Sequence, residues 1–357
     1  MTSEFGRSPD ERVSATSGAA GNGRPGYRQS ALKTRVNALT HPGYRLLAAF
    51  VALAALICSA AAQDYPTRPI TLIVAYPAGG GADAVGRLVA QQLSLALGQQ
   101  VIVENKPGAG SVIGSRVAAR AAPDGYTLLL MLTGLSLPSD TGYDIRRDFT
   151  PIGLVASFPI VVMANAALPV SSIAEIIALA RKEPGKLSIG TPPPPTLNYF
   201  GLALFKAMTG TDINIVTYRG TGPLTNDLVG GHVMLAFNTL PPAMGNIKAG
   251  TLKVIAVASS ARVAALPDVP TVAESGLPGF DVVLYYGLAA PGGTPRAIVE
   301  RLNAALRAIL ADDELRSRII ADGGIPIAGS PEQHAANIAR EEGKWDALIK
   351  KLGLAVQ

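Results

Sequence analysis

The stretch "IVAYPAGGGADAVGRLVA", residues 73–90, decides how this chain folds. An apolar run stops at Pro77, and three glycines follow at 79–81. From Asp83 onward apolar residues recur at helical spacing (Val85, Leu88, Val89, Leu93, Leu97), with Gly98 where a helix stops. Strand, glycine loop and helix in that order open an α/β unit. A tight turn needs one glycine, perhaps two, so three successive ones raise a question. A loop at a helix entrance carries unpaired main-chain N–H groups, and bare glycines let a carboxylate or phosphate come close to them. The alternative is a plain turn. Asp83 also reads two ways. It is a first-turn acid favoured by the helix dipole and spaced to pair with Arg87, or an acceptor for a ligand amine, hydroxyl or bridging water. The pattern is not a dinucleotide fingerprint, because counting from Gly79 the third glycine position holds Ala84, and no G-K-[ST] phosphate loop follows.

Working outward, "VIVEN" (101–105) and "YTLLLML" (126–132) read as strands, with a helix over 112–121 that Ser111 can cap. Alternating strands and helices predict parallel strands with crossover helices. "IGLVASFPIVVMAN" (152–165) reads as a strand at a boundary. A second alternating set follows, with helices at 173–182, 197–209, 223–229 and 242–249. Ser172 and Glu175 are spaced for a capping box. "VVLYYGLAA" (282–290) and helices over 295–311, 313–321 and 331–351 complete the chain. The expectation is an α/β protein of two lobes. Lobe 1 comprises 63–164 plus 285–357, lobe 2 comprises 165–284, and the chain crosses near 157–165 and 279–287. A cleft between two such lobes is a common place for a small ligand.

Two further loops mirror the first. "YRGTGPLTNDL" (218–228) places Gly220, Thr221 and Gly222 after a strand and before a helix; Thr221 or Thr225 can donate to an oxygen there. "GTPPPPTLNYF" (190–200) is a stiff four-proline segment with no N–H to offer, followed by Thr196 as a good N-cap. Thr191, Thr196 and Asn198 are candidates to reach a ligand.

Composition narrows the class. The chain has 357 residues, 48% hydrophobic and 16% charged, which suits two packed domains. Its net charge of +5 is concentrated in residues 1–62; residues 63–357 net +1, so nothing electrostatic favours nucleic acid. Arg35 and Arg45 precede "LLAAFVALAALICSAAAQ" (46–63), which has the length of a signal-peptide core rather than a membrane span. Residues 1–62 are therefore read as a leader with a signal peptide cleaved just before Gln63. Cleavage removes Cys58, the single cysteine, so the mature chain would have neither a disulfide nor a thiolate nucleophile. His232 and His334 lack metal-ligand spacing, no G-x-S-x-G elbow occurs, and no cofactor or metal is expected.

At this point ten segments line up in order, among them "YPTRPITLIVAYPAGGGADAVGRLVAQQL", "VIVENKPGAGSVIG", "YDIRRDFTPIG", "VTYRGTGPLTNDLVGGHVMLAF", "LPDVPTVAESGLPGF" and "GLAAPGGTP". They resemble the Bug family of periplasmic solute-binding receptors of tripartite tricarboxylate transporters, from about Tyr65 to Leu354. The resemblance implies a two-lobed periplasmic-binding-protein type II (Venus flytrap) fold that closes on a small carboxylate. It further implies delivery to a membrane permease or a sensor, a monomer, and no nucleic acid. Carried over, the carboxylate contacts fall on Tyr76, Pro77, Ala78, Gly79, Gly80, Gly81 and Asp83, with Thr133 beside them. The second lobe supplies Thr191 to Asn198, Gly220 and Thr221, with Asp227 and Asn238 as further candidates. The chain departs from the family pattern in four places. "MLTGLSLPSDTGYD" is shortened, "TPPPPT" replaces a Ser/Gly-rich loop, Ala82 stands where Thr or Ser is common, and Tyr285 replaces a common Trp. These changes remove polar donors or alter the cleft wall, and the proline loop points to a bulkier or more apolar acid. Two other readings stay open here: a secreted α/β enzyme using Asp83 as acid or base on a small acid, and a receptor whose cleft has degenerated.

Overall fold

The computed structural model describes residues 65–133 and 141–353. The leader readings, Cys58, the cleavage position and residues 134–140 of the shortened segment lie outside the described residues. The chain runs β1 (Ile70–Val74), α1 (Gly81–Leu97), β2 (Val101–Asn105), α2 (Val112–Ala119), β3 (Thr127–Thr133) and β4 (Phe149–Asn165). It continues through α3 (Ile173–Lys182), β5 (Ser188–Thr191), α4 (Leu197–Thr209), β6 (Asn214–Thr217), α5 (Thr221–Val229) and β7 (Leu235–Thr239). It ends with α6 (Met244–Lys248), β8 (Leu252–Val257), β9 (Val283–Pro291), α7 (Arg296–Ala311), α8 (Asp313–Ala321), β10 (Ile325–Pro326) and α9 (Pro331–Leu352).

The strands form two sets that share β4. In the first, β2, β1 and β3 are parallel, and β9 pairs antiparallel with both β3 and β4. In the second, β7, β5 and β6 are parallel, and β7 and β8 pair antiparallel with β4. Residues 149–159 of β4 face β9, whereas 160–165 face β7 and β8. The change happens at one node: Ile160 N–H donates to Val282 O, Ala258 N–H to Ile160 O, and Val282 N–H to Ala258 O. The C-terminal elements return to the first set. Asn303 on α7 donates to Ile152 O at 2.8 Å, and β10 pairs with β4 at Ser157.

Local chemistry explains the elements near the site. Val85, Val89, Leu93 and Leu97 of α1 are buried, and Gly98 takes φ +66° to end the helix. Leaving water is worth roughly 1.5–3 kcal/mol for each such side chain. Helix α1 begins at Gly81, two residues before the expected Asp83, because the bare Cα of Gly81 lets the first turn pack onto Thr239. Thr196 caps α4 as read from the sequence, accepting from Tyr199 N–H. Two cap expectations change. Ser172 caps α3, but the Glu175 carboxylate reaches back to Ser171 N–H instead of closing a box on Ser172. Ser111 precedes α2 without a side-chain cap bond.

Candidate functional site

Each glycine of the opening loop has its own reason. Gly79 holds φ +76°, a left-handed conformation that other residues rarely adopt. A Cβ at Gly80 would lie 2.9 Å from the Thr221 hydroxyl, and one at Gly81 would lie 2.8 Å from the Thr239 hydroxyl. The loop is thus bare because the second strand set presses against it. Gly81 N–H donates to Thr221 Oγ1 at 3.1 Å, a bond between the two strand sets.

Beside this contact lies a hollow of about 50 Å³, next to a wider space of about 520 Å³ that shares Tyr76, Pro77, Pro192, Thr196 and Gly220 with it. Three helices bring their N-terminal residues to it: Gly80 and Ala82 of α1, Thr196 to Asn198 of α4, and Gly220 and Thr221 of α5. Neither α1 nor α5 has a side-chain cap. Among the described residues, the N–H groups of Ala82 and Asp83 have no main-chain or side-chain acceptor. Helix N-termini concentrate partial positive charge, so their convergence favours an anion. Tyr286 and Thr239 complete this end of the wall. The Thr239 hydroxyl is buried and has no hydrogen-bond partner, a cost that a bound ligand oxygen relieves. Burial pushes the phenols of Tyr76 and Tyr286 up, so both stay protonated and able to donate.

Of the residues expected from sequence, Tyr76, Pro77, Gly80, Thr196, Asn198, Gly220 and Thr221 meet at this hollow. Thr133 lines a neighbouring hollow of about 40 Å³ that shares Tyr76 and Thr196. The others lie behind the wall. Ala78 and Gly79 sit on the exposed side of the loop. Thr191 is buried outside the lining with an unpartnered hydroxyl. Gly81 spends its amide on Thr221. Asn238 faces α5, donating to Thr225 Oγ1 at 2.9 Å and thereby holding that helix's first turn. Thr225 donates in turn to Thr221 O, so its proton is used within the helix. The picture of three free glycine amides therefore needs correction: two of the three are satisfied within the protein.

Asp83 also needs correction. Its carboxylate accepts from Gly79 N–H at 2.9 Å, Arg87 Nε at 3.0 Å and Asn105 Nδ2 at 2.9 Å. Burial alone would raise its pKa, but the Arg87, Gly79 and Asn105 hydrogen bonds outweigh this and hold it below the usual carboxylate range. Such a group shapes the loop, with both carboxylate oxygens engaged by protein donors. Tyr285, expected in the cleft wall, lies under Arg340 instead, and Tyr286 takes the wall.

Sequence reasoning missed Thr239, Tyr286, Leu132 and Leu284. Strand alternation carries the missing signal. Phe237 and Thr239 share one face of β7 while Asn238 takes the other, and Leu284 and Tyr286 share one face of β9.

Comparison with known proteins bears on the family and the overall fold. Residues 85–354 match the family described as tripartite tricarboxylate transporter family receptor. The chain is 35% identical over 318 residues to Protein BugT of Bordetella pertussis, covering 87% of this chain and 98% of BugT. The structure of periplasmic binding protein BugD is similar at TM-score 0.78 and 36% identity, covering 82% of this chain and all of that one. R. palustris Rpa4515 with adipate is similar at TM-score 0.79 and 33% identity, covering 82% of this chain and 99% of that one.

Proposed function

The chain belongs to the tripartite tricarboxylate transporter receptor family, and from that premise we propose that it captures a small carboxylate between two lobes and delivers it to a permease of that transporter class or to a sensor. Rpa4515, solved with adipate, and the periplasmic binding protein BugD are relatives that support this reading. The observation that carries it is the convergence of the α1, α4 and α5 N-termini on one hollow that holds an unpartnered Thr239 hydroxyl. The ligand carboxylate sits at the α1–α5 end, on the amides of the first turn of α1 and the hydroxyls of Thr221, Thr239 and Tyr286. The lobes are 63–164 plus 285–357 and 165–284, and they hinge where β4 changes partners. Closure is a population shift set by the ligand's stronger grip on the closed form. The protein acts in the periplasm as a monomer after removal of its leader, and it performs no chemistry on the ligand.

The test is mass spectrometry of acids that co-purify with gently prepared protein, followed by thermal shift against a carboxylate panel. An organic acid in the preparation, and a melting temperature raised by it, is expected. Protein that carries no acid and is stabilised by none of the panel would overturn the reading.

A further inference from the structure

We propose that Ser111 is a positioning residue that aims the phenol O–H of Tyr76 into the binding space, and that the chain keeps a strained main chain at 111 to hold the serine hydroxyl there. This rests on the receptor reading above and adds a residue to the same site.

Four consecutive residues between β2 and α2 take positive φ: Gly108 (+135°), Ala109 (+45°), Gly110 (+61°) and Ser111 (+99°). Contacts account for the glycines. A Cβ at Gly108 would lie 2.5 Å from Ile113 Cδ1, and one at Gly110 would lie 2.5 Å from Pro195 Cδ. Ala109 stays close to the left-handed values that a small residue reaches. Ser111, at φ +99° and ψ −13°, lies further from them. Glycine adopts such a conformation freely, whereas a side chain there is strained. A serine at this place needs a reason.

Helix capping is not that reason. Ser111 directly precedes α2, yet its side chain makes no cap bond. Its hydroxyl instead hydrogen-bonds to the Tyr76 phenol and works against the rise that burial imposes on that group. A hydrogen bond that eases the ionisation of a phenol is one donated to its oxygen, so Tyr76 keeps its own proton to give elsewhere. The main chain of the same residue is fixed by Asn105, whose Nδ2 donates to Tyr76 O at 3.1 Å. Tyr76 lines both small hollows and the wider space beside them, and Ser111 lines one small hollow and the wider space. Among the described residues Thr196 is the other one common to all three, and it donates to Pro193 O at 2.8 Å. The proton left to meet a ligand at this junction is that of Tyr76. An accepted bond from Ser111 occupies one side of the phenol oxygen and turns its O–H to the other.

The test is a double-mutant cycle read by isothermal titration of protein stripped of bound acid by unfolding and refolding. The probes are malate, adipate and benzoate, and the tightest of them is carried through the cycle. Ser111→Ala and Ser111→Gly should each lower its affinity about fivefold, the worth of one hydrogen bond. In a Tyr76→Phe background the same substitutions should change affinity by less than about twofold, because the group they act through is gone. Ligand-free denaturation should show Ser111→Gly unfolding at higher denaturant than Ser111→Ala, which lacks the hydroxyl but keeps the strain. Wild-type affinity in Ser111→Ala overturns the inference. So does an undiminished fivefold loss in the Tyr76→Phe background, which would make Ser111 a ligand contact in its own right. A Ser111→Gly protein no more stable than Ser111→Ala overturns the part that concerns strain. All three outcomes leave the receptor reading standing. Binding of none of the three acids counts against the receptor reading itself, and the inference goes with it.

Discussion

Two loops of this protein do the same topological job with opposite chemistry. Residues 76–80 lead from the β1 strand to α1, and residues 192–196 lead from β5 to α4; both end at the same hollow. The first is glycine, with its helix left uncapped; the second is proline, with its helix capped by Thr196. Glycine exposes amides and permits close approach of the opposite strand set, whereas proline removes amides and stiffens the wall. A helix N-terminus is therefore not one kind of site. What precedes it decides how many amides of the loop and first turn face the hollow. On the proposed receptor reading, the glycine loop takes the charge of a ligand.

The largest expected effect breaks the glycine side of that contrast. Gly80→Val places a side chain against Thr221 Oγ1 and into the hollow, and should lower carboxylate affinity by about 100-fold, roughly 2.7 kcal/mol. Titration with a bound acid found by co-purification checks it, and wild-type affinity would show that the loop is not the anchor. Thr239→Val is next and splits two quantities. Affinity should fall about tenfold, roughly 1.4 kcal/mol, because a donor to the carboxylate is lost. Ligand-free stability should hold or rise by about 1 kcal/mol, because an unpartnered buried hydroxyl disappears. Chemical denaturation without ligand measures the second half. A parallel loss of both would mean that Thr239 acts in packing alone.

These residues also show what could be read before the fold was known. The glycine loop was legible because residue type alone reports on backbone freedom. The Asp83–Arg87 pair was legible because four residues is one helical turn. Thr239 was not, since it meets Gly81 only through the approach of β7 to α1, a contact between residues 158 positions apart in sequence. Asn238 was singled out in its place, one residue off, and on a strand one residue changes the face. Tyr285 and Tyr286 repeat that lesson on β9. Loop chemistry is local, but the identity of a wall depends on which strand faces which helix.

The bond joining the two strand sets sharpens the contrast further. Thr221→Val removes the acceptor of Gly81 N–H while keeping shape. A net hydrogen bond contributes roughly 1 kcal/mol, so affinity should fall about fivefold. The loss should appear mainly as faster dissociation in stopped-flow measurements, because the bond exists only when the two loops meet. A change confined to the association rate would argue that Thr221 guides entry instead.

The smallest effect concerns the residue that shapes the glycine loop from behind. Asp83→Asn keeps the size of the side chain but gives up the charge-assisted bonds to Arg87 and Gly79. Arg87 is more than half exposed, so the loss at neutral pH should be about 1 kcal/mol of stability and about twofold in affinity. The pH dependence separates charge from shape. The Asp83 carboxyl has a lower pKa folded than unfolded, so the unfolded chain binds its proton first as pH falls. Its contribution is complete above the ordinary carboxylate range near 3.8 and declines as pH drops from there through the depressed folded value. Wild type and Asp83→Asn should therefore differ in stability at pH 7 and converge in strong acid, as read by denaturant midpoints across pH. A constant difference down to acid would assign the loss to packing. It would also remove Asp83 from the account of why this loop, unlike its proline counterpart, keeps its amides in place for a ligand.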